Sequence, residues 1–279
     1  MNTLFVWLLS ASTPVLGLAL LLILTLACEI GYRFGRRRGV TLAEGADHTV
    51  TATLTAGMVG LLAFILGLTI NFAENRYEAR RELVVTEANA IGTAWHRARV
   101  VGGPEGASIS GLVRQYAQTR LDFTRAPPDR SLGDLNARTS EITREIMEQV
   151  TQAARKAPTP ITATLVTAIN EMFDSAQAQR FAFLDETPNA ILDMMILGAI
   201  IAIGAMGYET GLRGPRQPVL TSLLLVMWAG GMVMTVDLNQ PRLGAIRVDA
   251  RPLEWTLQEI DEARPAPAPP APTAPGPHP

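Results

Sequence analysis

Four long runs of apolar residues are separated by stretches in which the charged residues are concentrated. A helix needs about 20 apolar residues to cross a hydrocarbon core that is ~30 Å thick, and each run is close to that length. Such runs are rare in soluble proteins of modest size. The sequence therefore predicts four transmembrane helices, at Pro14–Tyr32, Val50–Phe72, Ile191–Tyr208 and Val219–Val236.

A long polar segment, residues 73–187, separates the second and third apolar runs. Its apolar residues recur at helical spacing, and clusters of glycine and proline at 102–106, 127–131 and 158–160 interrupt the pattern. We expect the second membrane helix to continue to Val101 and three amphipathic helices to follow, whose apolar stripes form a core. The predicted fold class is an all-α membrane protein: four transmembrane helices, with an all-helical extramembrane domain inserted between the second and third.

The chain ends in a proline-rich tail, RPAPAPPAPTAPGPHP, which has too few large apolar residues to form a core. A polar segment with one short predicted helix precedes it. The predicted organisation begins with a first transmembrane helix and basic loop at 1–49, a second transmembrane helix with its extension at 50–101, and a helical domain at 102–187. Two further transmembrane helices follow at 188–238, then a post-membrane segment at 239–264 and a disordered tail at 265–279.

Arginines are concentrated in two short loops of the predicted topology. The sequence RFGRRRG follows the first apolar run, and GLRGPRQ joins the third to the fourth. Short loops rich in arginine stay in the cytoplasm. We therefore expect both loops to be cytoplasmic, and both termini and the helical domain to lie outside the inner membrane of a bacterium.

Composition and motifs exclude several classes of function. The formal net charge of −2 gives no basic excess for nucleic acid, and a single cysteine excludes a disulfide within the chain. Nucleotide-binding, serine-hydrolase and zinc-protease motifs are absent from the sequence. We expect no enzyme activity, catalytic residue, bound metal or cofactor. Four acidic residues are placed at helix ends, where solvation explains them: Glu29, Asp193, Glu209 and Asp237.

The second apolar run passes directly into a charged helix, in the sequence GLLAFILGLTINFAENRYEARRELVVTEANAIG. Three glycines in the run, Gly57, Gly60 and Gly67, are typical of close packing between membrane helices. The charged helix either continues into water as a solvated helix or forms a network between subunits beneath a pore. Its candidate site residues are Arg76, Glu78, Arg80, Arg81, Glu87 and Asn89.

Two motifs, RYEARRELVVTEANAIGTAW and VDLNQPRLGAIRV, resemble a family of bacterial integral membrane proteins of unknown function that is described as bestrophin-like. With the four-helix pattern the resemblance covers roughly residues 14–258. Bestrophins are pentameric anion-selective channels whose second helix lines the pore with a hydrophobic neck. The resemblance therefore implies a homo-oligomer in the lipid bilayer that passes small inorganic ions. Its candidate neck residues are Leu61, Phe64 and Leu68, which share one helix face.

The sequence departs from bestrophins in two respects. Bestrophins carry their helical domain in the cytoplasm, whereas the arginine count places this one outside. The acidic clusters that bind calcium in animal bestrophins also have no counterpart in this sequence. The alternative to a channel is a non-conducting membrane anchor that presents its helical domain and tail to a partner.

Overall fold

The structure is a computed structural model that describes residues 13–39, 47–127, 131–184, 189–242 and 245–263. Within these ranges it contains helices and no strands. The helices are α1 Thr13–Gly39, α2 Asp47–Val101, α3 Gly103–Arg125, α4 Ser131–Lys156, α5 Pro160–Leu184, α6 Asn189–Arg213, α7 Pro218–Asn239 and α8 Arg251–Glu262.

Four helices, α1, α2, α6 and α7, are long and apolar enough to cross a membrane. The mean hydropathy of their most apolar windows is 2.2, 2.1, 2.1 and 2.0. Three helices, α3 to α5, lie between the second and third of these spans. The predicted all-α fold with four spans is therefore confirmed.

Helix α1 is longer than predicted, because the arginine-rich sequence after the apolar run is helical rather than a loop. Arg36, Arg37 and Arg38 occupy the last turn of the helix. Cations at this position interact favourably with the partial negative charge of a helix C-terminus. The basic segment therefore extends α1 beyond the predicted span.

Helix α2 is a single helix of 55 residues that ends at Val101, where the glycine-rich break was predicted. Gly102 and Gly103 have φ angles of 70° and 62°. These left-handed conformations cost little only for glycine, so the two residues allow the chain to leave α2 and begin α3 directly.

The described chain divides into two compact units. Among the described residues, unit 1 contains α1, α2 up to Val84, the end of α5 from Ser175, α6 and α7. Its apolar core includes Leu20 of α1, Leu62 of α2 and Met232 of α7. Helix α6 supplies the largest share of that core, through Leu192, Met195, Ile196, Ala199, Ala202 and Ile203.

Glycines allow α1 and α6 to pack closely. A Cβ atom at Gly31 or Gly35 would overlap a backbone oxygen of α6, and one at Gly207 or Gly211 would overlap a backbone oxygen of α1. Each helix therefore carries a pair of glycines four residues apart, the spacing that lets two membrane helices approach to backbone contact. Contacts at these four residues were not predicted.

Among the described residues, unit 2 comprises Val85–Thr124, Leu135–Asp174 and 250–263. The predicted stripes form its core, with Ile109, Ile146 and Ile169 each 0% exposed. The short helix α8, which follows the last membrane span, belongs to this unit. It buries Leu253, Leu257 and Ile260.

Two predicted features lie outside the described residues. One is the proline-rich tail at 265–279. The other is the predicted boundary between the helical domain and the third membrane helix, at residues 187 and 188.

Candidate functional site

The candidate neck residues lie on a face of α2 that has no partner within the described chain. Leu61, Phe64 and Leu68 are 59%, 66% and 44% exposed. The opposite face of the same helix is buried in unit 1 through Leu62 and Thr69, which are 2% and 3% exposed. The structure therefore places the three candidates together and directs them away from their own bundle.

The glycines of α2 accompany this outward face rather than the buried one. A Cβ atom at Gly57, Gly60 or Gly67 would meet nothing within 4 Å. Close packing at these positions was predicted, and within one chain the structure does not contain it. By contrast, the outward face of α1 carries mainly large apolar residues, among them Leu18 and Leu22, with Thr25 as an exposed polar residue.

The charged part of α2 is divided between solvent and the protein interior. Glu78 and Arg81, three residues apart on the helix, form an exposed pair with 3.5 Å between carboxylate and guanidinium. Asn89 is exposed and Arg76 is half-buried. Arg80 and Glu87 are buried instead, so a uniformly solvated helix is not what the structure shows.

Arg80 is 1% exposed and bonds to backbone carbonyls of unit 1. Its Nε donates to the carbonyl of Ala182 at 2.9 Å, near the end of α5. Its Nη1 donates to the carbonyl of Asn239 at 3.1 Å, at the end of α7. Carbonyls at a helix C-terminus lack partners within the helix, so Arg80 satisfies the ends of two helices at once.

Glu87 forms a buried ion pair with Arg120 of α3 inside unit 2. Both Nε and Nη2 of Arg120 donate to the carboxylate, the latter at 3.2 Å, and the two side chains are 0% and 2% exposed. Burial alone would lower the pKa of Arg120, but the adjacent Glu87 carboxylate holds that pKa above its usual value. Arg120 was not predicted, because nothing in the spacing identifies a partner 33 residues away.

Asp237 explains part of the second sequence motif. Its carboxylate accepts hydrogen bonds from the backbone N–H groups of Ala245 and Ile246 at 3.0 and 2.9 Å, and from the Thr13 hydroxyl at 2.8 Å. Arg242 of the same motif donates to the carbonyl of Ala126 at 3.0 Å and lies over the Phe183 ring. The motif VDLNQPRLGAIRV therefore shapes the chain that follows α7.

The other acidic residues at helix ends have structural roles or face solvent. Glu29 binds Arg33 and Arg216, Glu209 binds Arg213, and Asp193 is exposed. Among the described residues no group of three or more His, Cys, Asp or Glu is arranged to hold a metal ion.

Comparison with known proteins identifies a family. The sequence model of the family called bestrophin-like domain matches residues 6–253 of this chain. None of the curated proteins matches the chain.

Several crystal structures share the fold. A bacterial bestrophin homolog from Klebsiella pneumoniae that carries a tryptophan-to-alanine mutation is 14% identical with a TM-score of 0.65, over 90% of this chain and 96% of that one. The same homolog solved by Zn-SAD phasing is 14% identical with a TM-score of 0.61, over 88% and 94%. At these identities the likeness establishes the fold. Since the family model covers nearly the whole sequence, the chain belongs to the bestrophin-like family.

Proposed function

We propose that the protein is a homo-oligomeric ion channel of a bacterial inner membrane, with α2 nearest the axis of the assembly. A five-fold ring is the arrangement that the family resemblance implies. Leu61, Phe64 and Leu68 form the neck, and small inorganic ions are the permeant species.

The outward face of α2 carries this proposal. A face that meets only lipid is expected to carry mainly large apolar side chains, as the outward face of α1 does. The α2 face instead combines three bulky apolar residues with Gly57, Gly60 and Gly67, whose bare backbone favours close approach of another helix. Thr53 and Asn71 are also exposed on this helix, near the two ends of the span. Polar groups within a membrane are more easily tolerated beside water or a partner helix.

A ring of Phe64 side chains would control conduction through its diameter and its exclusion of water. Apolar constrictions exclude water when they are narrow, and an ion cannot pass without its hydration shell or a substitute for it. Shortening the side chain at this position is therefore expected to increase the current through a single open channel.

The test is electrical recording from purified protein in planar bilayers. We expect unitary currents in the unmodified protein and larger ones in Phe64→Ala. The matched control is Leu22→Ala, since Leu22 is 61% exposed on the outward face of α1 and its loss should leave the conductance unchanged.

Two results would contradict the channel. A correctly assembled oligomer that passes no current would favour the alternative of a membrane anchor that presents its helical domain to a partner. Equal changes in conductance for the Phe64 and Leu22 variants would show that α2 does not line the conduction path.

A further inference from the structure

A crevice between α1, α6 and α7 has one polar and one apolar end. Its volume is about 290 Å³. Tyr32, Arg216 and Gln217 line it at the arginine-rich end of the bundle, whereas Leu21, Leu225 and Val226 line it within the apolar spans. Leu21 and Tyr32 are eleven residues apart on α1, which is ~16 Å along the helix axis. The crevice therefore extends from the membrane surface into the depth of the acyl chains.

The polar end of this crevice carries excess positive charge. A single carboxylate, Glu29, is shared by two guanidinium groups, those of Arg33 at 2.7 Å and Arg216 at 3.0 Å. An anion placed here would offset the positive charge that remains when one carboxylate is shared by two guanidinium groups.

Arg216 is held in position at the mouth of the crevice. Its guanidinium lies over the Tyr32 ring, 4.2 Å from the ring centroid, and bonds to Glu29. The side chain is still 55% exposed. A planar guanidinium with several N–H donors suits the oxygens of a phosphate group. Its orientation is fixed before any ligand arrives, which lowers the entropy cost of binding.

We propose that this crevice binds one anionic glycerophospholipid, with the phosphate at Arg216 and an acyl chain along Leu21 and Val226. Basic pockets between membrane helices bind anionic lipid headgroups by this combination of charge and apolar contact. A free phosphate ion would satisfy only the polar end. The proposal concerns α1, α6 and α7 and does not require that the protein conduct ions.

The experiment uses the purified full-length protein in detergent, with native mass spectrometry to count bound molecules and thermal unfolding to measure stabilisation. Phosphatidylglycerol, phosphatidylcholine with the same acyl chains and inorganic phosphate are added separately at equal concentrations. We expect phosphatidylglycerol to be retained and to raise the apparent Tm. The other two should have little effect.

Three variants locate the site. Arg216→Gln removes the positioned charge and should weaken phosphatidylglycerol binding about fivefold, the effect of one arginine near an anionic headgroup. Ser222→Phe fills the crevice from α7 at an exposed position and should weaken binding without changing the charge. Arg37→Gln removes an arginine that does not line the crevice and should change binding less than twofold.

Several outcomes would overturn the proposal. They are equal binding of the two lipids, equal stabilisation by inorganic phosphate, and equal weakening by the Arg37 and Arg216 variants. The apparent Tm without lipid shows whether each variant folds. If Arg216→Gln does not fold, the Ser222→Phe result decides, and undiminished lipid binding by that variant rejects the site.

Discussion

Arg80, Glu87 and Arg120 are each 2% exposed or less. Removing an ion from water costs several kcal/mol, so such residues persist only when partners in the fold satisfy them. Arg80 uses helix-end carbonyls, and the other two use each other. The charged part of α2 therefore includes two buried side chains, Arg80 and Glu87, that are satisfied by partners within the protein.

Removing one member of the buried pair should destabilise the protein strongly. Glu87→Ala leaves the Arg120 guanidinium buried without its carboxylate, at an expected cost of about 3–5 kcal/mol. The control is Glu78→Ala, which breaks the exposed pair with Arg81 and should cost within about 1 kcal/mol. Thermal unfolding in detergent compares them, and similar losses of apparent Tm would show that the buried pair has no special role.

Tyr116 provides a test at alkaline pH. Burial raises the pKa of Tyr116, despite the opposing charge of Arg120. The unfolded chain loses the phenolic proton at about pH 10, while the folded protein keeps it. Stability due to Tyr116 is therefore present below about pH 10 and lost as the pH rises above it.

We expect the apparent Tm of the unmodified protein to fall above about pH 10 more steeply than that of Tyr116→Phe. The substitution keeps the aromatic ring, whose centroid lies 5.7 Å from that of the Phe173 ring. Parallel curves for the two proteins would mean that the Tyr116 hydroxyl ionises equally in the folded and unfolded states.

At the scale of elements, the contact between α1 and α6 depends on the absence of side chains. Gly31 and Gly35 face α6 backbone, and Gly207 and Gly211 face α1 backbone. Gly230 and the three outward glycines of α2 differ, because a Cβ atom at any of them would meet nothing within 4 Å. Glycine content alone does not identify which helices touch.

Adding one methyl group at this contact should therefore separate the helices. Gly35→Ala would place a Cβ on the Tyr208 carbonyl, and overpacking of this kind costs about 1–3 kcal/mol. Gly230→Ala, also in a membrane helix but in open space, should change stability by less than about 0.5 kcal/mol. Apparent Tm values in detergent that fall equally for both would contradict the assigned contact.

Helix α8 belongs to unit 2 although it follows the last membrane span. Thr256 donates to the carbonyl of Ala88 at 3.3 Å, and Arg114 bonds to Asp261 with 2.8 Å between Nη2 and Oδ2. These contacts join residues 168 and 147 positions apart. After the two spans α6 and α7, the chain therefore contributes a further helix to unit 2.

For the whole molecule, the arginines at the ends of α1 and α6 predict the orientation in the membrane. Under the positive-inside bias we expect this end to lie in the cytoplasm and the helical domain at residues 102–187 to lie outside. Labelling of intact cells with a membrane-impermeant maleimide tests this. In a Cys28→Ser background, Glu141→Cys on α4 should react from outside. Arg37→Cys on α1 should react only after the inner membrane is permeabilised.

The reverse labelling pattern would contradict the arginine count and give the orientation that bestrophins have. Glu141 and Arg37 are both exposed, so access through the protein does not limit either reaction.

The sequence by itself determined the four spans, the helical insert and most helix ends, because hydrophobic length, helical periodicity and glycine or proline breaks are local properties of the chain. It also placed Leu61, Phe64 and Leu68 on one face, since helical spacing requires it. Only the tertiary structure decided that this face points away from its own bundle.

The tertiary structure also decided which charged residues find partners distant in the chain. Arg120 pairs with Glu87, and Arg80 donates to a carbonyl at the end of α7. No local sequence pattern distinguishes these charges from solvated ones such as Glu78 and Arg81. A charge becomes structural only when packing removes its water, and packing depends on helices brought together from separate parts of the sequence.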